Sequence, residues 1–327
     1  MNNIKNILVI KNLVTAIEIE ERGFVQALRG ISFSIKRGEV VGLVGESGSG
    51  KSLVALSIMR LLPKPACKIE SGHILYEGED LVQVTPEKMR SLRGRKIAMI
   101  FQEPMTALNP VKTIGSQLSE AFTIHIPSMS KKEIFEESVN LMSEVGISDP
   151  EHRLKEYPHQ LSGGMRQRIM IAMALSCKPD ILIADEPTSS LDATIQEQIL
   201  SLMKDIQKKY RMAIIFISHD FSVVSEMCDK ICVMYGGLIV EEATTIELFK
   251  NPQHPYTKGL LKAIPRLESV PKSQMNTIEG VVPSLIDMPL GCPFANRCSV
   301  VLKECYEKLP EMSGSDDAHE VRCFNWR

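Results

Sequence analysis

The sequence lacks any long hydrophobic run. Its apolar stretches, such as Ala213–Ile217, are far shorter than the roughly 18 residues that a bilayer crossing requires. Near the N-terminus, the run Ile7–Ile10 is too short for the core of a signal peptide, and no small-residue cleavage site follows it. We therefore expect a cytosolic chain that reaches a membrane only through a partner.

The sequence also lacks an excess of charge of one sign. Its 38 Lys and Arg residues nearly balance 40 Asp and Glu residues, which leaves a formal charge of -2. This balance argues against binding nucleic acid through bulk electrostatics. The 327 residues are 44% hydrophobic and 24% charged, which excludes a mostly disordered chain. No internal repeat or low-complexity tract is present.

The first third of the chain reads as strands followed by a helix. Two segments rich in β-branched residues, Ile7–Ile19 and Val25–Ile35, are predicted to be strands of an antiparallel sheet. Val40–Val44 is predicted to be a buried strand that runs into a glycine-rich turn and a helix from about Lys51 to Leu62. This order begins an α/β nucleotide-binding fold.

Further strands and helices alternate along the rest of the chain. Two buried strands flanking a helix favour a parallel βαβ unit. The predicted strands are Ile97–Phe101, Ile181–Ala184 and Ala213–Ile217, and the predicted helices are Lys131–Glu144, Met165–Cys177 and Thr194–Lys209. From about Thr245 prolines become frequent, and we predict an appended C-terminal domain there.

Residues 45–52 fit the phosphate-binding pattern G-x-x-x-x-G-K-[ST] between a strand and a helix. The glycines let backbone N–H groups turn toward phosphate oxygens, and the helix N-terminus adds positive potential. Lys51 is predicted to reach the β- and γ-phosphates of ATP, and Ser52 to bind Mg²⁺. The predicted nucleotide-binding residues of this loop are Gly45, Glu46, Ser47, Gly48, Ser49, Gly50, Lys51 and Ser52.

Two carboxylates end the apolar strand that begins at Ile181. Asp185 is the candidate on the Mg²⁺ side, and Glu186 is the candidate base for an attacking water. A strand ending before Pro187 is also compatible with a solvated turn, but the phosphate-binding loop upstream favours the catalytic interpretation.

A third motif, Leu161–Arg168, resembles the signature of ABC transporter ATP-binding subunits. The motif stands before an apolar helix and about twenty residues ahead of the Asp–Glu strand. The resemblance implies a second anion site, offered in trans to the γ-phosphate of ATP on a partner subunit. Its residues here are Ser162, Gly163, Gly164 and Met165.

The same resemblance assigns roles to three other single residues and to one short motif. Gln102 matches the glutamine that contacts Mg²⁺ or the attacking water. The implied Mg²⁺ ligands are therefore Ser52, Gln102 and Asp185. His219 matches the histidine that contacts the γ-phosphate. Phe24 is the nearest candidate for stacking on adenine, although the register can instead place Arg22 there. The remaining motif is the D-loop, formed by Ser190, Leu191 and Asp192, with serine where alanine is commoner.

Two C-terminal segments, Pro252–Pro265 and Gly291–Cys298, resemble the extension of oligopeptide, dipeptide and nickel importer ATPases. The extension can hold a [4Fe-4S] cluster in that subfamily. Four thiolates with the spacing C-x5-C-x6-C-x17-C can supply the ligands of such a cluster. Zinc is the second choice, because this tail lacks the cysteine pair two to four residues apart that is usual in structural zinc sites. The candidates are Cys292, Cys298, Cys305 and Cys323.

The resemblance implies an α/β P-loop ABC ATPase with a RecA-like core, an antiparallel β subdomain and a helical subdomain at about residues 106–175. The ATPase domain is placed at residues 1–245, and a small cysteine-rich extension at residues 246–327. The expected function is ATP hydrolysis that powers a peptide importer from the cytoplasmic face of the membrane. Expected partners are a paralogous ATPase subunit, two permease subunits and an extracytoplasmic substrate-binding protein, with no nucleic acid. A nickel importer and a soluble, non-transport ABC ATPase remain alternatives.

Overall fold

The computed structural model describes residues 6–20, 22–102, 107–189, 191–264, 278–316 and 319–326. The described strands are β1 (Asn6–Ile19), β2 (Gly23–Lys36), β3 (Val40–Val44), β4 (Cys67–Tyr76), β5 (Glu79–Asp80), β6 (Ile97–Ile100), β7 (Ile181–Asp185), β8 (Ala213–Ser218), β9 (Lys230–Tyr235), β10 (Leu238–Thr244), β11 (Ser313–Asp316) and β12 (His319–Val321). The described helices are α1 (Lys51–Met59), α2 (Pro86–Leu92), α3 (Ile114–His125), α4 (Lys131–Glu144), α5 (Pro150–Arg153), α6 (Gly163–Leu175), α7 (Ala193–Tyr210), α8 (Phe221–Met227), α9 (Thr245–Lys250), α10 (Pro255–Ala263) and α11 (Glu304–Glu307).

The chain forms two compact units, and the first contains the described parts of residues 1–35, 40–82 and 218–327. One of its sheets has the strand order β2-β1-β4-β5, with β1 and β4 antiparallel. Buried residues recur along β1, where Leu8 and Ile10 lie opposite Tyr76 and Ile74. These residues form one apolar face, as the β-branched composition of the segment predicts.

A second group of strands in the same unit has the order β11-β12-β10-β9-β3. Strand β3 pairs in parallel with β9, and every residue of β3 is buried. A parallel strand covered on both faces has to be apolar throughout, which explains the sequence of Val40–Val44. Strands β12 and β11 extend this group beyond β10, so the C-terminal residues add strands to the sheet that also contains β3.

The second unit contains the described parts of residues 36–39 and 83–217. Its strands have the order β8-β7-β6 and run parallel, with Ala184 opposite both Ile100 and Phe216. Four of its helices begin after a side chain that accepts a hydrogen bond from the first turn, namely Thr113, Ser130, Ser162 and Asp192 for α3, α4, α6 and α7. The carboxyl ends of β6, β7 and β8 lie at one edge of this sheet.

The predicted elements differ from the observed ones mainly at their ends. Helix α1 ends at Met59, three residues before the predicted Leu62, because Arg60 adopts a left-handed conformation with φ 50°. Helix α6 begins at Gly163 because Ser162 caps it, whereas the prediction began at Met165. The division at residue 246 into an ATPase domain and an appended extension stays a prediction. Among the described helices, none combines the length and hydrophobicity needed to span a membrane.

Candidate nucleotide site and cysteine pocket

The phosphate-binding loop, residues 45–50, connects β3 to α1 in the first unit. A side chain at Gly45 would place its Cβ 2.2 Å from the Met234 carbonyl oxygen, and one at Gly50 would meet Leu28 at 2.7 Å. Both glycines and Gly48 have positive φ, which glycine adopts at little cost. The loop therefore needs glycine at these positions, and α1 begins without a side-chain cap at Gly50.

Lys51 points into the loop that precedes it. Its Nζ donates hydrogen bonds to the carbonyl oxygens of Gly45 at 2.8 Å and Glu46 at 3.0 Å, and to Ser49 Oγ at 3.4 Å. The side chain is buried, while Ser52, the next residue, is exposed. The lysine therefore stabilises the loop backbone next to the N-terminus of α1.

Two other predicted contacts of ATP also belong to the first unit. His219 is exposed directly after β8 and precedes Asp220, which caps α8. Phe24 lies on β2 with 40% of its surface exposed, and Lys68 Nζ lies 3.7 Å from the centre of its ring. Arg22 is exposed two residues earlier. Lys68 therefore lies over one face of the exposed ring, in a cation–π contact, and the assignment of Phe24 to adenine stacking stays a prediction.

The second unit brings together the predicted base and the predicted glutamine. Asp185 is the buried last residue of β7, and Glu186 follows it in a left-handed conformation with φ 47°. The Glu186 N–H donates to the Ile217 carbonyl oxygen at 3.0 Å. Gln102 Nε2 donates to Glu186 Oε2 at 2.9 Å. Because β6 and β7 end at the same edge, residues 84 positions apart meet there.

The signature helix and the D-loop helix begin side by side in this unit. Ser162 Oγ accepts the Met165 N–H at 3.3 Å, and Asp192 accepts the Ile195 N–H at 3.0 Å. A Cβ at Gly164 would lie 3.0 Å from Ile195 Cγ2, so α6 and α7 approach closely at their N-termini. Ser162, Gly163 and Asp192 are exposed, and Leu191 is half-buried. Ser190 lies outside the described residues.

The four C-terminal cysteines line a single pocket in the first unit, together with apolar side chains that include Phe294 and Val300. The Cys292 N–H donates to the Cys305 carbonyl oxygen at 2.7 Å, and a side chain at Gly291 would collide with that oxygen. Burial raises the pKa of the Cys292 thiol to about 11 and raises the pKa of Cys298 and Cys323.

Backbone amides oppose this effect at three of the four sulfurs. The N–H groups of Phe294, Val300 and Asn325, each two residues after a cysteine, hydrogen-bond to the sulfurs of Cys292, Cys298 and Cys323 and favour their thiolates. Within the described ranges, no three His, Cys, Asp or Glu side chains form a group that could hold a metal ion. The four cysteines are free thiols.

The cysteines outside this pocket are largely covered. Cys67, Cys228 and Cys232 are buried, as expected for cysteines that only pack, while Cys177 is partly exposed.

The sequence did not predict a link between this C-terminal region and the phosphate-binding loop. Tyr256 Oη accepts the Glu46 N–H at 2.8 Å, and Arg297 forms two hydrogen bonds with the Glu46 carboxylate, at 2.7 and 3.1 Å. The available signal was that Arg297 and Tyr256 both lie within the two segments that resemble the importer extension.

Comparison with known proteins places these features in one family. Residues 28–189 match the protein family described as ABC transporter. Residues 240–305 match the family described as oligopeptide/dipeptide transporter, C-terminal region. The dipeptide transport ATP-binding protein DppD of Bacillus subtilis is 51% identical, with 92% of this chain and 90% of that protein covered. The oligopeptide transport ATP-binding protein OppD of the same organism is 46% identical, with 99% and 90% covered.

A solved structure gives the same result for the fold. A dimeric ATP-binding cassette in a post-hydrolysis state, bound to ADP and Pi, matches with a TM-score of 0.65 and 26% identity, covering 73% of this chain and 98% of that one. Together with the phosphate-binding loop, the Asp185–Glu186 strand end and the signature helix, these likenesses identify the α/β P-loop ATPase fold. The chain belongs to the ATP-binding, ATP-hydrolysing subunits of ABC transporters, in the oligopeptide and dipeptide branch of that family.

Proposed function

We propose that this chain powers the import of peptides by hydrolysing ATP as one of two ATPase subunits in a membrane transporter. Peptide is proposed as the cargo because residues 240–305 match the C-terminal region of oligopeptide and dipeptide transporters. Relatives named for peptide transport are also similar over almost the whole chain. The proposed partners are a paralogous ATPase, two permeases and an extracytoplasmic binding protein. The chain would sit peripherally on the cytoplasmic face.

The chemistry proposed is in-line attack of water on the γ-phosphate of ATP. Lys51 and the backbone N–H groups of the loop hold the phosphates, and His219 contacts the γ-phosphate. Glu186, oriented by its hydrogen bond from Gln102, accepts a proton from the attacking water. Positioning and charge neutralisation supply most of the acceleration.

The hydroxyl oxygen of Ser52, the amide oxygen of Gln102 and the carboxylate of Asp185 suit Mg²⁺, which prefers hard oxygen ligands. Asp185 is the buried acid at the end of β7, and Ser52 is exposed at the start of α1. When bound, Mg²⁺ neutralises charge on the β- and γ-phosphates. Ser162, Gly163, Gly164 and Met165 would act on the ATP of the partner subunit.

The cysteine pocket is proposed to hold a [4Fe-4S] cluster. Its four thiols converge on one pocket and three of them accept backbone N–H hydrogen bonds, an arrangement that favours metal-bound thiolates. A bound cluster would crosslink the segments around Cys292, Cys298, Cys305 and Cys323.

Reconstitution in proteoliposomes tests the cargo. The chain, its partner ATPase, the two permeases and the binding protein are assembled, and ATP hydrolysis is measured with peptides and with nickel complexes. We expect stimulation by peptide-loaded binding protein, and loss of that stimulation with Lys51→Ala in this chain. Stimulation by nickel complexes alone would make the peptide assignment wrong.

Metal analysis of anaerobically purified protein tests the cluster. We expect iron and acid-labile sulfide in equal amounts, about four of each per chain. Cys298→Ser should lose both, whereas Cys177→Ser, a cysteine outside the pocket, should retain them. Stoichiometric zinc without sulfide contradicts the cluster and supports the second choice.

A further inference from the structure

Three polar groups of Glu46, the second residue of the phosphate-binding loop, are each bound by a side chain. Its N–H donates to Tyr256 Oη at 2.8 Å, its carbonyl oxygen accepts from Lys51 Nζ at 3.0 Å, and its carboxylate binds Arg297 at 2.7 and 3.1 Å. Two of these three partners belong to the C-terminal segment. The loop residue is therefore held from outside the loop.

Arg297 is itself fixed by its surroundings. Its side chain is only 5% exposed, and its guanidinium also donates to the carbonyl oxygens of Ile278 and Glu279 and to Tyr235 Oη. It ends a short 3-10 turn, Ala295–Arg297, directly before Cys298. A bidentate arginine held by this many acceptors fixes the direction of the carboxylate that it binds.

Tyr256 is equally constrained. It is fully buried, and its ring packs edge-on against Tyr235 at 4.7 Å and in a tilted arrangement against Phe294 at 5.4 Å between ring centres. Phe294 belongs to the cysteine segment, so this aromatic cluster joins that segment to the residue that binds the loop N–H. The cysteine segment is therefore packed against the residue whose hydroxyl accepts the Glu46 N–H.

We propose that Arg297 and Tyr256 are positioning residues for the phosphate-binding loop, acting through Glu46, so that the C-terminal segment sets the affinity of this chain for ATP. Two physical effects carry the proposal. Holding Glu46 preorganises a loop whose glycines otherwise give it many conformations. Pairing with Arg297 also neutralises a carboxylate that would repel the phosphates of the bound nucleotide.

The two effects predict a distinctive pattern in a double-mutant cycle. Arg297→Met leaves the Glu46 carboxylate uncompensated beside the nucleotide, so we expect affinity to fall by on the order of tenfold. Adding Glu46→Gln removes that charge and should recover most of the loss. If Arg297 only holds the C-terminal segment together, Glu46→Gln cannot rescue it. Tyr256→Phe, which deletes only the acceptor of the Glu46 N–H, should also weaken binding.

The experiment measures binding of the non-hydrolysable analogue AMPPNP with Mg²⁺ to the full-length chain by calorimetry, and then KM and kcat for ATP in the assembled transporter. We expect KM to rise more than kcat falls. Matched controls are Lys308→Met and Tyr306→Phe, exposed residues of the same segment. Circular dichroism establishes that each variant is folded, and its iron content relative to the unchanged protein establishes that it retains the proposed cluster.

Two results overturn the proposal: unchanged nucleotide affinity in Arg297→Met, or an Arg297→Met/Glu46→Gln double variant that binds as weakly as Arg297→Met. If Tyr256→Phe does not fold, the Arg297 cycle decides alone. The proposal rests on the proposed function only for its reaction, ATP hydrolysis. Nucleotide binding is measured in the absence of peptide. An error in the peptide assignment therefore leaves this result unchanged, whereas an error in the positioning role of Arg297 and Tyr256 does not.

Discussion

At the scale of single residues, the predicted base Glu186 and the predicted glutamine Gln102 form a defined contact within the proposed hydrolytic site. Glu186 adopts a left-handed conformation that non-glycine residues rarely take, and its N–H is held by the Ile217 carbonyl oxygen. This conformation follows immediately after the buried strand β7. It aims the carboxylate at the strand edge, where Gln102 reaches it at 2.9 Å.

Glu186→Gln tests the assignment of the base. The amide can still accept the hydrogen bond from Gln102, so geometry and ATP binding should persist, while proton acceptance is lost. We expect turnover of the assembled transporter to fall by about 100-fold or more. Single-turnover ATPase assays and nucleotide-binding measurements on the same preparation check both parts.

The control for this change is Glu87→Gln, which removes the same charge from an exposed position of α2 in the same unit. It should leave turnover unchanged. Near-normal hydrolysis by the Glu186 variant would remove this residue from the catalytic role.

At the scale of elements, the start of α10 is buried together with its cap. His254 Nδ1 accepts the Tyr256 N–H at 3.1 Å, and the backbone N–H of His254 donates to Glu241, which also pairs with His319 at 2.8 Å. Burial lowers the pKa of His254 to about 4. For Glu241, burial raises the pKa, but its hydrogen bonds, from His319 first, lower it overall.

These shifts predict acid sensitivity of the C-terminal segment. Between pH 6.5 and about 4, His254 is protonated in the unfolded chain but neutral in the folded chain. The free energy of unfolding therefore decreases as the pH falls through this window. Glu241 acts in the same direction because its folded pKa is depressed. The His254 contribution is roughly 3 kcal/mol. Denaturant unfolding at several pH values between 7.5 and 4.5 measures the loss.

His254→Asn removes the titrating group but keeps a side chain that can cap a helix. It should flatten the pH dependence, whereas His152→Asn, at a mostly exposed histidine, should not. An unchanged pH profile in the His254 variant would contradict the assignment.

At the scale of the whole molecule, the start of the signature helix is exposed, and the proposed function predicts that a partner ATPase covers it. Ser162 and Gly163 face solvent in the isolated chain, and Asp192 is exposed at the neighbouring helix start. The family resemblance places this surface on ATP bound to a partner subunit. Two ATPase subunits would therefore close head to tail around two nucleotides.

Dilution tests this requirement. Specific ATPase activity of the isolated chain should be low when it is monomeric and should rise when the partner ATPase is added, because the signature site is then supplied in trans. Activity is measured across a concentration series together with the molecular mass in solution. Constant specific activity in demonstrably monomeric protein, equal to that of the assembly, would contradict it.

Local patterns allowed much of the site to be predicted. The loop Gly45–Gly50 needs glycine because its backbone approaches Met234 and Leu28 too closely for side chains, so the pattern records a local geometric constraint. The buried strands β3 and β7 are continuous apolar runs for a similarly local reason. The end of α1 was missed because Arg60, a residue with no strong turn preference, takes the left-handed conformation that ends the helix.

The sequence by itself determined the nucleotide-binding chemistry and the family, because each motif combines residue types and spacings that a strand, a loop and a helix require locally. Only the tertiary structure showed that Gln102 meets Glu186 and that Arg297 and Tyr256 bind Glu46. Arg297 and Glu46 are 251 residues apart. Contacts at such separations follow from the order of strands in a sheet and the packing of a buried cluster, which no local pattern records.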